Sequence, residues 1–266
     1  MAGAENHEPE YDETHIRFLE LVWGEGYLSP GGPEEVRRVL EGIELAGKTV
    51  LDFGCGSGGI SLFLARHFQP ASVTGYDVEM PVIRKARADA AAAGLVDRVR
   101  FVQSPPGPLP FADATFDIVF SKDAIVHVPD KEWLFREFFR VLKPGGIFAA
   151  SDWLISHDGT PSPDMSDYLD AEGLSFGMAP PRRYRNAMEA AGFVDVTTVS
   201  RNGWYRIEAA QELYRLQHAL YDRAVETVGK AFVDKNIRTW AAMQKVLDSG
   251  EHCPTHLRAR KPGAEQ

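Results

Sequence analysis

Cysteine, basic charge and long apolar runs are all scarce in this chain of 266 residues. Its two cysteines, Cys55 and Cys253, give no disulfide framework and no metal site, so no metal and a reducing, cytoplasmic compartment are expected. The formal charge is −9 with no long basic run, which argues against nucleic acid and anionic membranes as partners. No stretch approaches the ~18 apolar residues of a membrane span. The segment from Met1 to Glu13 is polar and acidic, lacks the marks of a signal peptide, and is expected to be mobile apart from Tyr11. Core-forming residues are plentiful: 44% are hydrophobic, enough for one α/β domain with an elaboration, as a monomer or weak homo-oligomer.

From residue 48 onward apolar strand patterns alternate with helical ones. Strands are expected at 48–53, 72–77, 98–102, 116–121, 147–152, 194–199 and 255–260, with helices at 58–67, 81–93, 131–142 and 181–191. This pattern calls for an α/β fold with a doubly wound, mostly parallel seven-stranded sheet. Two helices, 14–24 and 33–45, flank a loop rich in glycine and proline and make an N-terminal lid over residues 1–45. The remainder, 46–266, reads as the main domain with two cap segments. One is polar and rich in Pro, Ser and Asp, at about 154–180. The other, about 205–250, is a long helical stretch over 207–247 that breaks near Gly229.

The densest local signal is Val50-Leu51-Asp52-Phe53-Gly54-Cys55-Gly56-Ser57-Gly58. An apolar strand runs into an acid and alternate glycines, which lets backbone lie directly against a small cofactor. The next strand ends in a second acid, Asp77, placed to grip a ribose diol. Gly54-x-Gly56-x-x-Gly59 also satisfies the dinucleotide fingerprint, so this segment alone leaves two cofactor classes open. Further on come Phe116-Asp117-Ile118-Val119-Phe120-Ser121 and then Leu142-Lys143-Pro144-Gly145-Gly146. With all four features in this order, about residues 48–153 resemble the class I S-adenosylmethionine-dependent methyltransferases.

Two further segments sharpen the resemblance: Trp23-Gly24-Glu25-Gly26-Tyr27-Leu28-Ser29-Pro30-Gly31-Gly32 and Ser121-Lys122-Asp123-Ala124-Ile125-Val126-His127. Both look like segments of the phosphoethanolamine (phosphobase) methyltransferases, and the spacing from Tyr11 to Tyr27 also matches. The resemblance implies S-adenosylmethionine as cofactor and a small-molecule methyl acceptor. It implies cofactor contacts from Tyr27, Ser29, Asp52, Gly54, Gly56, Asp77, Val78 and Lys122. It implies that His127 pairs with Tyr11 to latch a closed site, that Asp123 orients the amine, and that Trp153 lies near the acceptor. Without the resemblance, a His after Ile125 and Val126 would be read as packed, and Asp123 as a helix cap.

The chain departs from that family where the phosphate clamp belongs. Tyr168 matches one clamp tyrosine, but Glu172 stands where an Arg belongs, Leu174 where a Tyr belongs and Met243 where a Lys belongs. A carboxylate in place of a guanidinium repels phosphate, so a phosphobase acceptor is not expected. Gln103-Ser104-Pro105-Pro106 also replaces an acid that many relatives use to hold adenine, which leaves Ser104 as the candidate there. The expected reaction is N-methylation of a small polar amine or amino acid. Two alternatives stay open: S-methylation of a thioether such as methionine, and a catalytically idle cofactor sensor.

Overall fold

The structure, a computed structural model, describes residues 11–174 and 176–263; the mobility expected of the N-terminal tail therefore falls almost entirely outside the described residues. Each strand of the core follows from a buried apolar run. Strands β1 (Thr49–Phe53), β2 (Ser72–Asp77), β3 (Val99–Gln103), β4 (Phe116–Lys122), β5 (Leu142–Asp152), β6 (Val194–Ser200) and β7 (Thr255–Arg260) form one sheet in the order β3-β2-β1-β4-β5-β7-β6. β1 to β5 pair in parallel, and β7 runs antiparallel to both β5 and β6. The chain moves outward from β1 to β2 and β3 on one side, then resumes with β4 on the other. β1 and β4 therefore flank the switch point where open α/β sheets bind ligands.

The helices divide among three apolar cores. On one face, α2 (Gly32–Val39), α3 (Gly59–His67) and α4 (Met80–Ala92) bury Val36, Leu64 and Ile83 against Val50 and Val73. On the other, α5 (Lys131–Val141) and α7 (Pro181–Ala190) pack Phe135, Phe138, Tyr184 and Met188 on Phe148. A third core belongs to the cap: α1 (Glu13–Trp23), α6 (Pro163–Glu172), α8 (Asn202–Gln217), α9 (Tyr221–Val228) and α10 (Lys230–Ser249) bury Phe18, Met165, Leu216, Ala224 and Trp240 together. The expected 1–45 unit is thus shared out, with α1 in the cap and α2 on the sheet.

Four local expectations need correction. The helix expected over 33–45 ends at Val39, because Gly42 follows in a left-handed turn at φ +74°. β5 begins at Leu142 rather than Ile147: Leu142 already pairs with Phe116, and a bulge absorbs the Lys-Pro-Gly-Gly segment before Ile147 pairs with Ile118. The polar 154–180 stretch contains α6, whose N-cap Ser162 accepts from Met165 N at 3.1 Å and whose C-cap Gly173 is left-handed. The long helical stretch starts at Asn202 and breaks twice, after Gln217 and at Gly229.

Candidate active site

Two cavities open above the switch point, under the cap. The larger, of about 360 Å³, lies against the C-terminal ends of β1, β2 and β4, within the ~300–1,000 Å³ usual for small-molecule sites. Its floor is backbone. Gly54 sits at φ +70°, and a Cβ there would overlap Ala124. Gly56 N–H donates to Asp77 Oδ2 at 2.9 Å, and Glu79 N–H donates to Asp77 Oδ1 at 2.9 Å. The Asp77 carboxylate is thereby fixed in place while facing the cavity. Burial pushes its pKa up to about 6, against the pull of those two N–H groups. Tyr27, Val78 and Lys122 also line this space.

Asp52 does not contact this cavity. It is 1% exposed, and its Oδ2 accepts from Ser61 Oγ at 2.6 Å in the first turn of α3, with burial raising its pKa to about 7. Its place is behind the glycine turn, tying the end of β1 to α3. Ser104 is also outside the lining. Its hydroxyl turns to Pro105 O at 3.4 Å on the exposed surface, and Pro106, Gly107 and Leu109 supply that wall instead.

The smaller cavity, of about 80 Å³, is enclosed by α1, α6, α10 and the loops after β4 and β5. Five residues line both spaces: Tyr11, Leu28, Ser29, Asp123 and His127. Tyr11, Asp123 and His127, the three residues the resemblance implies at the latch and the amine, are therefore brought to the boundary between the cavities. Asp123 holds a left-handed backbone, φ +54°, a conformation that costs about 1–3 kcal/mol at a non-glycine residue. Its N–H donates to Ser151 O at 2.8 Å, and Lys122 Nζ reaches Asp123 Oδ2 at 2.5 Å and Ser29 Oγ at 2.9 Å. Burial raises the Asp123 pKa and Lys122 opposes the rise. Asp123 Oδ1 has no partner among the described residues. His127 ends a short 3-10 turn, Ile125–His127, with its ring edge-on to Phe176 at 5.3 Å.

The acceptor-side expectations divide. Trp153 and Glu172 line the smaller cavity, and so do Leu174 and Met243. The Trp153 Nε1 is buried without a partner among the described residues. Glu172 forms no ion pair with the nearby Lys235, and burial lifts its pKa to about 7 against that charge. Tyr168 stands behind the wall rather than in it. It is fully buried, stacked on His252 at 5.7 Å, with its hydroxyl unpartnered among the described residues.

Several lining residues carried no signal in the sequence. Trp133 and Leu109 close the larger cavity; Trp23, Trp240, Lys235 and Asn236 close the smaller. Trp23 and Trp240 are linked: their Nε1 groups donate to the two oxygens of the buried Glu212, at 2.7 and 3.3 Å. In sequence Trp240 reads as an ordinary apolar helix position, and Trp23 only as the start of the entry segment. Only the meeting of α1, α8 and α10 makes them a wall.

Comparison with known proteins agrees with this geometry. Residues 50–146 match the model of a methyltransferase domain. Phosphoethanolamine N-methyltransferase 1 of Triticum aestivum is 32% identical over 243 residues, 91% of this chain and 47% of the relative. The chain thus spans about half the length of the curated relatives it matches. Among solved structures, phosphoethanolamine N-methyltransferase 2 of Haemonchus contortus, in complex with phosphomonomethylethanolamine and S-adenosylhomocysteine, superposes with a TM-score of 0.87 at 24% identity, over 95% of this chain and 59% of that one. A Galdieria sulphuraria protein, whose proposed activity is sarcosine dimethylglycine methylation, superposes with a TM-score of 0.81 at 22% identity, over 95% of this chain and 98% of that one.

The larger cavity fits S-adenosylmethionine on its own evidence. A side-chain-free turn at Gly54 and Gly56 lets a ligand meet backbone, and a fixed carboxylate at Asp77 presents two acceptors for a diol. Among the described residues no helix is long and apolar enough to cross a membrane, and no cluster of His, Cys, Asp and Glu is arranged for a metal. By sequence match, sheet order and cavity, the chain carries a class I S-adenosylmethionine-dependent methyltransferase domain and resembles the phosphoethanolamine N-methyltransferases.

Proposed function

We propose that this protein methylates the nitrogen of a small polar amine or amino acid. The carrying observation is the shared boundary: Tyr11, Leu28, Ser29, Asp123 and His127 line both the cofactor cavity and a small chamber beyond it. A methyl donor on one side and an acceptor on the other would meet at that boundary. S-adenosylmethionine supplies a methyl group activated by a sulfonium charge. The protein must then desolvate and align the acceptor, bringing the reacting atoms to roughly 3–3.5 Å.

An ammonium cannot attack until it loses a proton, so an amine acceptor needs a proton route. His127 is the group at the boundary suited to that work. Asp123, with one oxygen tied to Lys122 and the other unpartnered among the described residues, can accept from the amine and orient it. Trp23, Trp153, Phe176 and Trp240 line the chamber and favour a cationic guest and a methylated ammonium product.

At the far end of the chamber Glu172 and Lys235 offer one charge of each sign. That end does not present the concentrated positive charge a phosphate requires. The amine reading therefore favours an acceptor with a neutral or zwitterionic tail over phosphoethanolamine. The S-methylation alternative needs no proton acceptor and leaves His127 without chemical work.

A turnover assay for S-adenosylhomocysteine tests the reading, with ethanolamine, sarcosine, dimethylglycine, phosphoethanolamine and methionine as acceptors. Turnover of an amine without phosphate is expected. Turnover of methionine alone would replace the amine reading. Cofactor binding with no turnover of any acceptor would favour the sensor. Efficient turnover of phosphoethanolamine would overturn the argument from Glu172.

A further inference from the structure

Behind the turn that carries His127 lies a buried polar cluster that nothing above puts to use. Lys131, the first residue of α5, is completely buried. Its ammonium donates to Ile125 O at 2.7 Å and to Val128 O at 2.6 Å. These two carbonyls bracket the 3-10 turn Ile125–His127. From the other side Asp152, also completely buried, accepts from Val126 N–H at 3.1 Å through Oδ1 and from the Tyr184 hydroxyl at 2.5 Å through Oδ2. The Lys131 ammonium also lies 5.3 Å from the centre of the Tyr184 ring. Lys131 and Asp152 thus hold the turn's backbone at three points, Ile125 O, Val126 N–H and Val128 O, and the Tyr184 hydroxyl in turn holds Asp152.

Burying a lysine is costly, and here burial presses its pKa down while Asp152 resists. A turn this short could be closed more cheaply by apolar packing. Burying charged groups is weak evidence for stability, because apolar residues of similar volume often do as well or better, so the cluster is poorly explained by stability alone. What it does supply is directional constraint. A two-carbonyl clamp by one ammonium and an N–H contact from a carboxylate fix the turn's orientation as well as its depth.

We propose that Lys131, backed by Asp152 and Tyr184, is the positioning residue for His127, setting the angle at which that side chain meets the boundary between the cavities. The proposal rests on the reading of His127 given above. Lys131 touches neither cavity, so its effect on turnover must pass through the turn. The cofactor floor at Gly54, Gly56 and Asp77 is built from other elements, and Val128, which Lys131 holds, meets that cavity at its wall, so cofactor affinity should change far less than turnover.

A double-mutant cycle tests this. Lys131→Met keeps the length of the side chain and removes both donors. In the folded variant kcat for the best amine of the panel should fall by roughly 10–100-fold, with S-adenosylhomocysteine affinity by calorimetry changed less than about threefold. In a His127→Ala background the same substitution should cost little more, because its effect acts through His127. Equal losses in both backgrounds would show a merely structural role and overturn the proposal, as would an unchanged kcat. The two readings fail separately: if His127→Ala itself leaves kcat intact, the catalytic role falls. The Cε1–H resonance of His127 in the S-adenosylhomocysteine complex then still decides whether Lys131→Met reorients the ring. A resonance that does not move would sink the positioning role in that case. Should Lys131→Met not fold, Tyr184→Phe deletes one hydroxyl from the same cluster. A loss of a few-fold in kcat, absent in the His127→Ala background, is then the expected result, and additive losses the overturning one.

Discussion

The larger cavity is made by backbone turns at the ends of neighbouring strands; the smaller is made by side chains that three separated helices hold over it. On the floor of the first, the two acids are already partnered. Asp77 receives two N–H groups, and Asp52 receives the Ser61 hydroxyl. At the boundary and around the second, Asp123 Oδ1 and Trp153 Nε1 are buried without partners among the described residues. Leaving such groups unsatisfied costs ~1–3 kcal/mol each. A ligand that partners them recovers that cost and gains selectivity. The contrast assigns generality to the cofactor floor and choice of acceptor to the cap.

The boundary between the two regions should be the most sensitive place. His127→Ala is expected to lower kcat for an amine acceptor by roughly 10²–10⁴-fold, the usual size of a general-base effect. The loss should shrink as pH rises and free amine becomes abundant. For a thioether it should be smaller and flat with pH. A pH series of kcat for wild type and variant decides between these outcomes.

A change on the cofactor floor should act on affinity and leave acceptor choice alone. Asp77→Ala removes a prearranged carboxylate and is expected to weaken S-adenosylmethionine binding by more than about tenfold. The ranking of acceptors at saturating cofactor should stay the same. Calorimetry showing unchanged affinity in a folded variant would break the division of labour on its cofactor side.

The two regions were also unequally legible. β2 was expected at 72–77 and lies there, and β1 and β4 differ by one residue, because buried parallel strands are short apolar runs between turn residues. The doubly wound, mostly parallel sheet followed from the alternation of strands with helices. Asp52 shows a limit even here. Its spacing marks the turn, but spacing does not tell a carboxylate that touches ligand from one that braces the turn from behind. The chamber was legible only through a family resemblance, at Tyr11, Asp123, His127, Trp153, Glu172, Leu174 and Met243. Lys235 and Trp240 lie on α10 and Trp23 on α1, more than 200 residues apart, and nothing in either helix announces the other. β5 was misjudged because Pro144 and Gly145 read as a turn, although the bulge opposite Phe116 keeps them in the strand.

On the cap side, Glu172 gives the sharper test. Its pKa, lifted to about 7 by burial, means the carboxyl is neutral below that pH and charged above it. For an acceptor whose neutral or zwitterionic tail donates to this carboxylate, kcat/KM should gain a component that rises as pH passes upward through about 7. Glu172→Gln should remove that component and cost up to about tenfold at pH 8, the scale of one charged contact. Glu172→Arg should shift preference toward phosphoethanolamine, with cofactor affinity unchanged. If both variants keep the wild-type acceptor ranking, the cap does not choose the acceptor through this residue.

The smallest effect concerns motion. The entry segment 11–32 and the helices of 202–249 are proposed to order when ligands bind. Their shared core and the Glu212 contacts to Trp23 and Trp240 imply that they move as one body. Hydrogen exchange in α1 and α10 should then slow together when S-adenosylhomocysteine and an acceptor are added, while the strands of the sheet stay protected throughout. Burial lifts the Glu212 pKa to about 7 while the two indole donors oppose the rise. Glu212→Ala leaves both indole N–H groups without that acceptor and should destabilise the closed cap by ~1–2 kcal/mol. Exchange in α1 should accelerate several-fold without ligand, and exchange in α10 by a similar factor. Acceleration confined to one helix would show that the cap is two parts. Exchange in the wild type that is equally slow with and without ligands would show that the chamber stands closed, and acceptor entry would then need another route.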